Sequence, residues 1–360
     1  MKLVSTNSIE PGATLGQSLY NDNGLILIHR GTKLTQNMLN RLLHIGITYI
    51  YIEDEFTKDI ETESVISDEV RQKALQTIEN TFTSIKKSNV LKQTYISQEE
   101  EQALMGVIQD VTGEMRKNKQ SISLLTDILM TDDYTYQHSL NVAFYALAIG
   151  MEMKLSSQEL MDLGVGALLH DIGKVLIDQQ VLQKPGKLTD AEYEMVKKHT
   201  TYGYEFIRDK SNLSSVIAEC AHQHHERLDG YGYPRGLKED EIIKHAKIIA
   251  VADVFDAVTS QRTYLSKPML PHEGLELLYA GSGKHFEMEM VLAFKNSISV
   301  YPNGITVELS NGLKGIVIGQ NKSLCDRPVV RIESHDSSPF EIDLASELNI
   351  TVINCYLADV

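Results

Sequence analysis

Six of the chain's twelve histidines, His138, His170, His199, His222, His224 and His225, fall in one stretch that also carries well-spaced carboxylates. Imidazole is the commonest side-chain ligand for metal ions, and a bound divalent cation is the strongest local positive charge a protein can recruit. His170 and Asp171 are adjacent at the end of the apolar run GVGALLHDIGK, where Gly173 reads as a helix terminator. Asp253 lies in DEIIKHAKIIAVADVFDAV, which as a helix is apolar nearly all round. A carboxylate buried there without a partner is expensive, and a metal ion is the natural compensation. Asp256, three residues on, shares its helical face and either contacts a ligand or supports a histidine from behind.

His138, His170, His199, His224 and His225 with Asp171 and Asp253 offer five imidazoles and two carboxylates. Seven donors exceed one closed tetrahedral site. They suit two six-coordinate ions bridged by a carboxylate, with Asp171 as the candidate bridge and positions left open for water and substrate. Nitrogen and oxygen donors without cysteine fit iron or manganese, and zinc less well. His222, two residues before His224, points away from it on a helix and is assigned to packing. Glu226 is placed to orient the neighbouring His225 imidazole, Cys220 reads as a core residue, and His245 and His285 as ordinary.

Elements must bring these groups together. DDYTYQHSLNVAFYALAIG carries His138 on a helix. Thr189 and Glu192 form a capping box opening TDAEYEMVKKHTTYGYEFI, which predicts His199 about ten residues into that helix. Residues 61–131 have helical spacing, with apolar stripes through Leu75, Ile78, Phe82 and Ile85 and through Leu104, Val107, Ile108, Val111 and Met115. They read as a linker whose stripes serve a helical spacer or core packing, with a homodimer surface as the alternative. Residues 1–60 alternate short extended runs with turns and one helix near Thr35–Leu43, predicting a small β-rich accessory module. Residues 298–360 read as a small β module, with Asn311-Gly312 as a hairpin turn. The expected fold is therefore mainly α: a helical domain over 132–297 flanked by two small β modules.

Composition bounds the function. With 34 Lys+Arg against 49 Asp+Glu, the net charge of −15 repels polyanions and excludes broad binding to nucleic acid or an anionic membrane surface. Cys220, Cys325 and Cys355 are odd in number and widely spaced, as expected of reduced thiols in the cytoplasm. No apolar run approaches the length of a membrane span, and MKLVSTNSIEPG has no apolar segment of the signal-peptide kind.

The strings His170-Asp171-Ile172-Gly173-Lys174, LxKPGxL at 182–188, His199-x-x-x-Gly203, HHERLDGYGYPRGL at 224–237 and VADVFDAVTSQRTY at 251–264 together resemble HD-GYP domains, a bacterial subgroup of the HD phosphohydrolases. The resemblance covers 132–297 and implies an all-helical domain with a buried metal site. It implies hydrolysis of cyclic di-GMP to linear pGpG through a metal-activated water, with onward cleavage to GMP left open. It makes the seven donors metal ligands and Asp171 and Lys174 catalytic. Asp132, Lys174, Tyr233, Asp256 and Arg262 match positions lining the substrate pocket, where Tyr233 can stack on guanine and Lys174 and Arg262 neutralise phosphate. Members with three metals carry Glu where this chain has Tyr134, so two ions are expected. At Leu265, where some relatives place a basic residue, phosphate binding is expected to be weaker. Two alternatives stand beside this reading: a cyclic di-GMP receptor with little catalysis, and a hydrolase of another nucleotide.

Overall fold

The computed structural model describes residues 1–20, 26–45, 47–60, 66–89, 95–117, 134–184, 186–260, 268–321, 324–332 and 338–356. Two compact units emerge: Met1–Val65 joins Lys295–Val360 in one, and Ile66–Lys117 joins Asp133–Phe294 in the other. The fold is mainly α, with small sheets toward both ends of the chain.

In the first unit, β1 (Lys2–Ser5) pairs antiparallel with β4 (Tyr49–Ile52), and β2 (Leu19–Tyr20) with β3 (Ile26–Ile28). Helix α1 (Gln36–His44) starts where the Thr35 hydroxyl accepts the Met38 N–H. Its Leu39 and Leu42 join Val4, Leu15, Ile50 and Ile52 in a small core. The C-terminal part is a five-stranded antiparallel sheet in the order β8-β7-β6-β5-β9, from β5 (Thr306–Leu309), β6 (Lys314–Gly319), β7 (Val329–Ile332), β8 (Phe340–Asp343) and β9 (Val352–Tyr356). The Asn311-Gly312 turn joins β5 to β6. Sequence set the two ends apart as separate modules, yet backbone and side-chain bonds join them. Leu3 donates to the Gly304 carbonyl, and Arg331 forms paired 2.7 Å bonds to Asp59.

The second unit is helical, with α2 (Asp68–Asn89), α3 (Gln98–Lys117), α4 (Tyr134–Glu152), α5 (Ser157–Leu169), α6 (Gln179–Leu182), α7 (Asp190–Lys197), α8 (His199–Lys210), α9 (Ser215–Gln223), α10 (Lys244–Thr259), α11 (Pro271–Gly281) and α12 (Met288–Ser297), the last running into the first unit. No helix among the described residues is long and apolar enough to cross a membrane. At the centre, α4 packs against α5 and α10, and α9 against α5 and α8. Such helices are buried on several sides, which accounts for the nearly continuous apolar character of α5 and α10. The stripes of α2 and α3 are buried: Leu75, Ile78, Phe82, Leu104, Val107 and Ile108 are all within the core. The core-packing reading of these stripes therefore describes these side chains, which are buried where α2 packs on α3 and α4 and α3 packs on α5.

Two local features set the positions of the histidines. The segment expected as one helix through His199 breaks at Lys198, so His199 opens α8 instead of lying deep inside a helix. At this junction His199 Nδ1 bonds the Val196 carbonyl and Thr200 Oγ1 bonds that of Lys197, and these bonds tie the start of α8 to the end of α7. The second feature is Gly173, on the 3-10 turn Ile172–Leu176. A Cβ there would stand 2.0 Å from the His199 carbonyl oxygen and 2.6 Å from the Gly203 nitrogen. Gly173 thus serves close backbone contact with α8, beyond the terminator role read from sequence.

Replacing Gly173 with Ala forces backbone against backbone and should cost about 2 kcal/mol or more in urea unfolding. Gly106→Ala, in α3 with nothing within 4 Å of a new Cβ, should leave stability unchanged or raise it by up to about 1 kcal/mol.

Candidate metal centre

Each donor is delivered by the end or the face of a different helix. His138 projects from α4, and His170 caps α5 with Asp171 immediately after it. His199 opens α8, His224 caps α9 with His225 following, and Asp253 lies in α10. All seven sequence-predicted donors come together. Asp171 Oδ2 lies 3.6 Å from His138 Nε2 and 3.4 Å from His170 Nε2. Its Oδ1 lies 3.2 Å from His199 Nε2 and 3.9 Å from His224 Nε2. Asp253 sits 3.2 Å from His138 Nε2 through Oδ1 and 3.8 Å from His225 Nδ1 through Oδ2.

The backbone settles which nitrogen faces inward. His170 Nδ1 meets the Ala167 carbonyl at 2.7 Å, His199 Nδ1 that of Val196 at 2.7 Å, and His224 Nδ1 that of Ala221 at 3.0 Å. A carbonyl only accepts, so these Nδ1 atoms carry the proton and each Nε2 presents a lone pair. Three bare nitrogens therefore converge on a carboxylate, acceptors facing acceptors. His170 Nε2 and Asp171 Oδ1 are buried and make no hydrogen bond, and His199 and His224 bring their Nε2 atoms within 3.3 Å of each other. A buried group of this kind is costly unless a cation lies among its members. Two subsets have donor atoms close enough to share an ion: Asp171 with His199, His224 and His225, and Asp171 with His138 and His170. The cluster is compatible with divalent metal binding.

Titration follows the same geometry. Burial lowers the pKa of His199 to about 4 and holds His224 well below its ordinary value, so both are neutral at pH 7. Burial also works against a charged Asp171, but Lys174 and the surrounding histidines outweigh it and keep the carboxyl well below its usual range. His138 behaves in the opposite way. Burial pushes it down, yet the bonds to Asp253 and Asp256 prevail and raise it to about 9.

Asp256 needs a correction as a substrate contact. It is fully buried, with Oδ2 2.7 Å from His138 Nδ1 and Oδ1 accepting from Asn141 Nδ2 at 2.8 Å and Ser260 Oγ at 2.9 Å. A carboxylate so enclosed fixes the ring of His138 and does not face a ligand. Glu226 also acts otherwise than expected: it accepts the Arg235 and Leu237 N–H groups at 2.7 and 2.9 Å, holding the following loop, not an imidazole. His222 packs as expected, stacked on Tyr204 at 4.4 Å. Lys174 donates to Asp171 Oδ2. Asp132, Arg262 and Leu265 lie outside the described residues.

Tyr233 stands at the mouth. A Cβ at Gly232 would come 2.4 Å from the Arg227 nitrogen, so only glycine lets the loop fold onto Glu226 and Arg227. The Tyr233 N–H then bonds the His225 carbonyl at 3.1 Å, and its ring lies 4.7 Å from the His225 ring. The peptide between Tyr233 and Pro234 is cis. The exposed members mark the opening: the side chains of Lys174 and His225 are 30% and 26% accessible, whereas those of His138, His170, His199 and His224 are at most 2%. Sequence reasoning missed Asn141, which shares a helical face with His138 three residues before it, and missed Tyr193 and Lys197 beside Tyr233. The one available signal for Asn141 was that spacing.

A family model describing the HD domain matches residues 105–290, just over half of the chain. The chain belongs to the HD domain family. A cyclic di-GMP phosphodiesterase of Pseudomonas aeruginosa is 32% identical over 226 residues, covering 63% of this chain and 54% of that protein. A cyclic di-GMP phosphodiesterase of Thermotoga maritima is 43% identical over 165 residues, covering 45% and 44%. The chain thus spans about half the length of these two HD relatives. A solved HDG"Y"P protein from Bdellovibrio bacteriovorus shares the fold with a TM-score of 0.53 and 16% identity, over 81% of this chain and 97% of that one. The HD-GYP resemblance read from the motifs is borne out by these matches.

Two outcomes follow from the geometry around His138. Asp256→Asn keeps the shape but removes the charge that holds the ring, and should weaken metal affinity about 10- to 100-fold in equilibrium titration. Because His138 is protonated at pH 7 in the metal-free protein, loading a divalent ion should release about one proton per chain. The dependence of calorimetric heat on the buffer's ionisation enthalpy measures it.

Proposed function

We propose that this HD-domain chain is a metal-dependent phosphodiesterase that hydrolyses cyclic di-GMP to linear pGpG, and more slowly onward to GMP. The observation that carries the proposal is the shared carboxylate of Asp171, whose two oxygens face two separate histidine pairs. That division suits a binuclear centre, with His138, His170 and Asp253 on one side, His199, His224 and His225 on the other, and Asp171 between. The opening of α4 with Tyr134, a poor donor for a hard cation, favours two ions over three, and the nitrogen–oxygen donor set favours iron or manganese over zinc. Ions held there would polarise a phosphodiester and make water nucleophilic at neutral pH.

The chain's own groups supply the rest. The Nδ1 bonds of His170, His199 and His224 fix ring tautomers, so that donor geometry is set before substrate arrives. Lys174, half-open to solvent and bonded to Asp171, is placed to neutralise the phosphate when an ion takes over its carboxylate. Arg262 adds a planar fork for the same phosphate and Asp132 a further contact, by their places in the motifs. Tyr233, at the accessible side, offers its ring to a base. The names of the relatives support this substrate class. The buried free cysteines agree with action in the cytoplasm.

Asp171→Ala should abolish both metal loading, read by elemental analysis of anaerobically purified protein, and turnover of cyclic di-GMP. Hydrolysis confined to mononucleotides, or tight binding of cyclic di-GMP with no turnover by fully loaded protein, would overturn the assignment.

A further inference from the structure

Beside the donor cluster lies a group that the metal chemistry leaves unused. Tyr193 and Lys197 are one turn apart on α7, so their side chains share a face. The Lys197 ammonium sits 5.3 Å from the centre of the Tyr193 ring and 5.7 Å from that of Tyr233. The two rings are 6.5 Å apart and nearly perpendicular. Tyr233 in turn lies 4.7 Å from His225, a metal-facing donor. A row thus leads outward from the centre through His225, Tyr233 and Lys197 to Tyr193, which is 49% exposed. The Lys197 ammonium also pairs at 2.5 Å with Glu194, one turn back on α7, whose side chain is 66% accessible, and the Lys197 side chain as a whole is 24% accessible.

We infer that Lys197, with Tyr193 and Tyr233, forms a base-reading subsite that selects guanine over adenine in a cyclic dinucleotide. The inference rests on the proposed function and adds the source of its base specificity. Aromatic faces accept any base, since every base has a π-face, and so give affinity without discrimination. Discrimination needs a polar group at the base edge. An ammonium has donors and no acceptor. Guanine presents two adjacent acceptors, O6 and N7, whereas adenine presents N7 beside an N6 amino donor that would oppose the ammonium. Lys197 lies 5.3 and 5.7 Å from the centres of the two rings, so its donors border the space that a base stacking on either ring would enter.

The test compares initial rates of wild-type, Lys197→Met and Lys197→Arg holoenzymes. The KM for cyclic di-GMP is measured together with the Ki of cyclic di-AMP as its competitor. In wild type the ratio of Ki to KM should be large. In Lys197→Met, which keeps the apolar stem, the ratio should fall about tenfold, with the loss in KM more than in kcat. Lys197→Arg, which also donates to O6 and N7, should retain the ratio. A ratio unchanged in Lys197→Met, with both nucleotides weakened alike, would mean that the ammonium meets a phosphate and would overturn this subsite while leaving the proposed function intact. If wild type does not turn over cyclic di-GMP at all, the proposed function falls and the subsite with it.

Discussion

The second unit is organised around one unfavourable juxtaposition: lone pairs of at least three imidazoles directed at a carboxylate inside a helical core. Each ring is committed on its other nitrogen to a carbonyl three residues earlier at a helix end, so no neutral ring can turn away or donate to Asp171 without losing that bond. Cations are what make the arrangement tolerable. Without them, Lys174 and the protonated His138 carry the compensating charge, one at the open side and one deep between Asp253 and Asp256. A metal held there would change the role of the same two groups: His138 would have to give up its proton, and Lys174 would be free to face an anion at the mouth.

Around this constraint the helix packing reads as support. His170 and His199 must come near each other although one ends a helix and the other begins one. Contact between the Gly173 turn and the start of α8 is what permits it, because any side chain at 173 would push the His199 backbone away. The junction at Lys198 is tied on both sides: His199 and Thr200, at the start of α8, bond the carbonyls of Val196 and Lys197, so the ring that faces the cluster is anchored to the end of the preceding helix. Asp256, Asn141 and Ser260 form the corresponding brace behind His138, where two further side chains satisfy the carboxylate oxygen that His138 leaves over.

What could be read in advance was whatever depends on residue type and short spacing. The apolar run around Asp253 made a partner for that carboxylate necessary, and adjacent donors at 170–171 and 224–225 narrowed the geometry; the seven donors do converge. The hairpin at Asn311-Gly312 and the helix capped by Thr35 were legible for the same local reason. What escaped depended on which way a face turns. Asp256 shares a helical face with Asp253, and that spacing left open whether it contacts a ligand or supports a histidine; the fold makes it the brace behind His138, bonded also to Asn141, while Asp253 lies among the donors. Glu226 adjoins His225 in sequence, but its carboxylate is claimed by two amides nine and eleven residues later. The grouping of the N- and C-terminal segments into one unit rests on bonds such as Arg331 to Asp59, whose sequence separation gives no local signal. The stripes of α2 and α3 identified buried faces, as their core-packing reading required, without saying which helices would cover them.

The acidity of the chain looks at first like an obstacle to a phosphate ester. With a net charge of −15, long-range attraction cannot deliver an anion to the mouth, so recognition has to be local. The site meets that requirement by concentrating its unsatisfied electron pairs. Asp171 and Asp253 count toward the negative total, yet held beside neutral imidazoles they are what attracts cations, and cations are what an anionic ester needs. Because His199 and His224 are neutral at pH 7, divalent ions held there would outweigh the two carboxylates and make the cluster net positive, with Lys174 at its edge. Screening at physiological salt acts over about 8 Å and weakens the distant surface carboxylates more than these contacts. A small diester would then be bound by the few charges it touches and little affected by the many it does not.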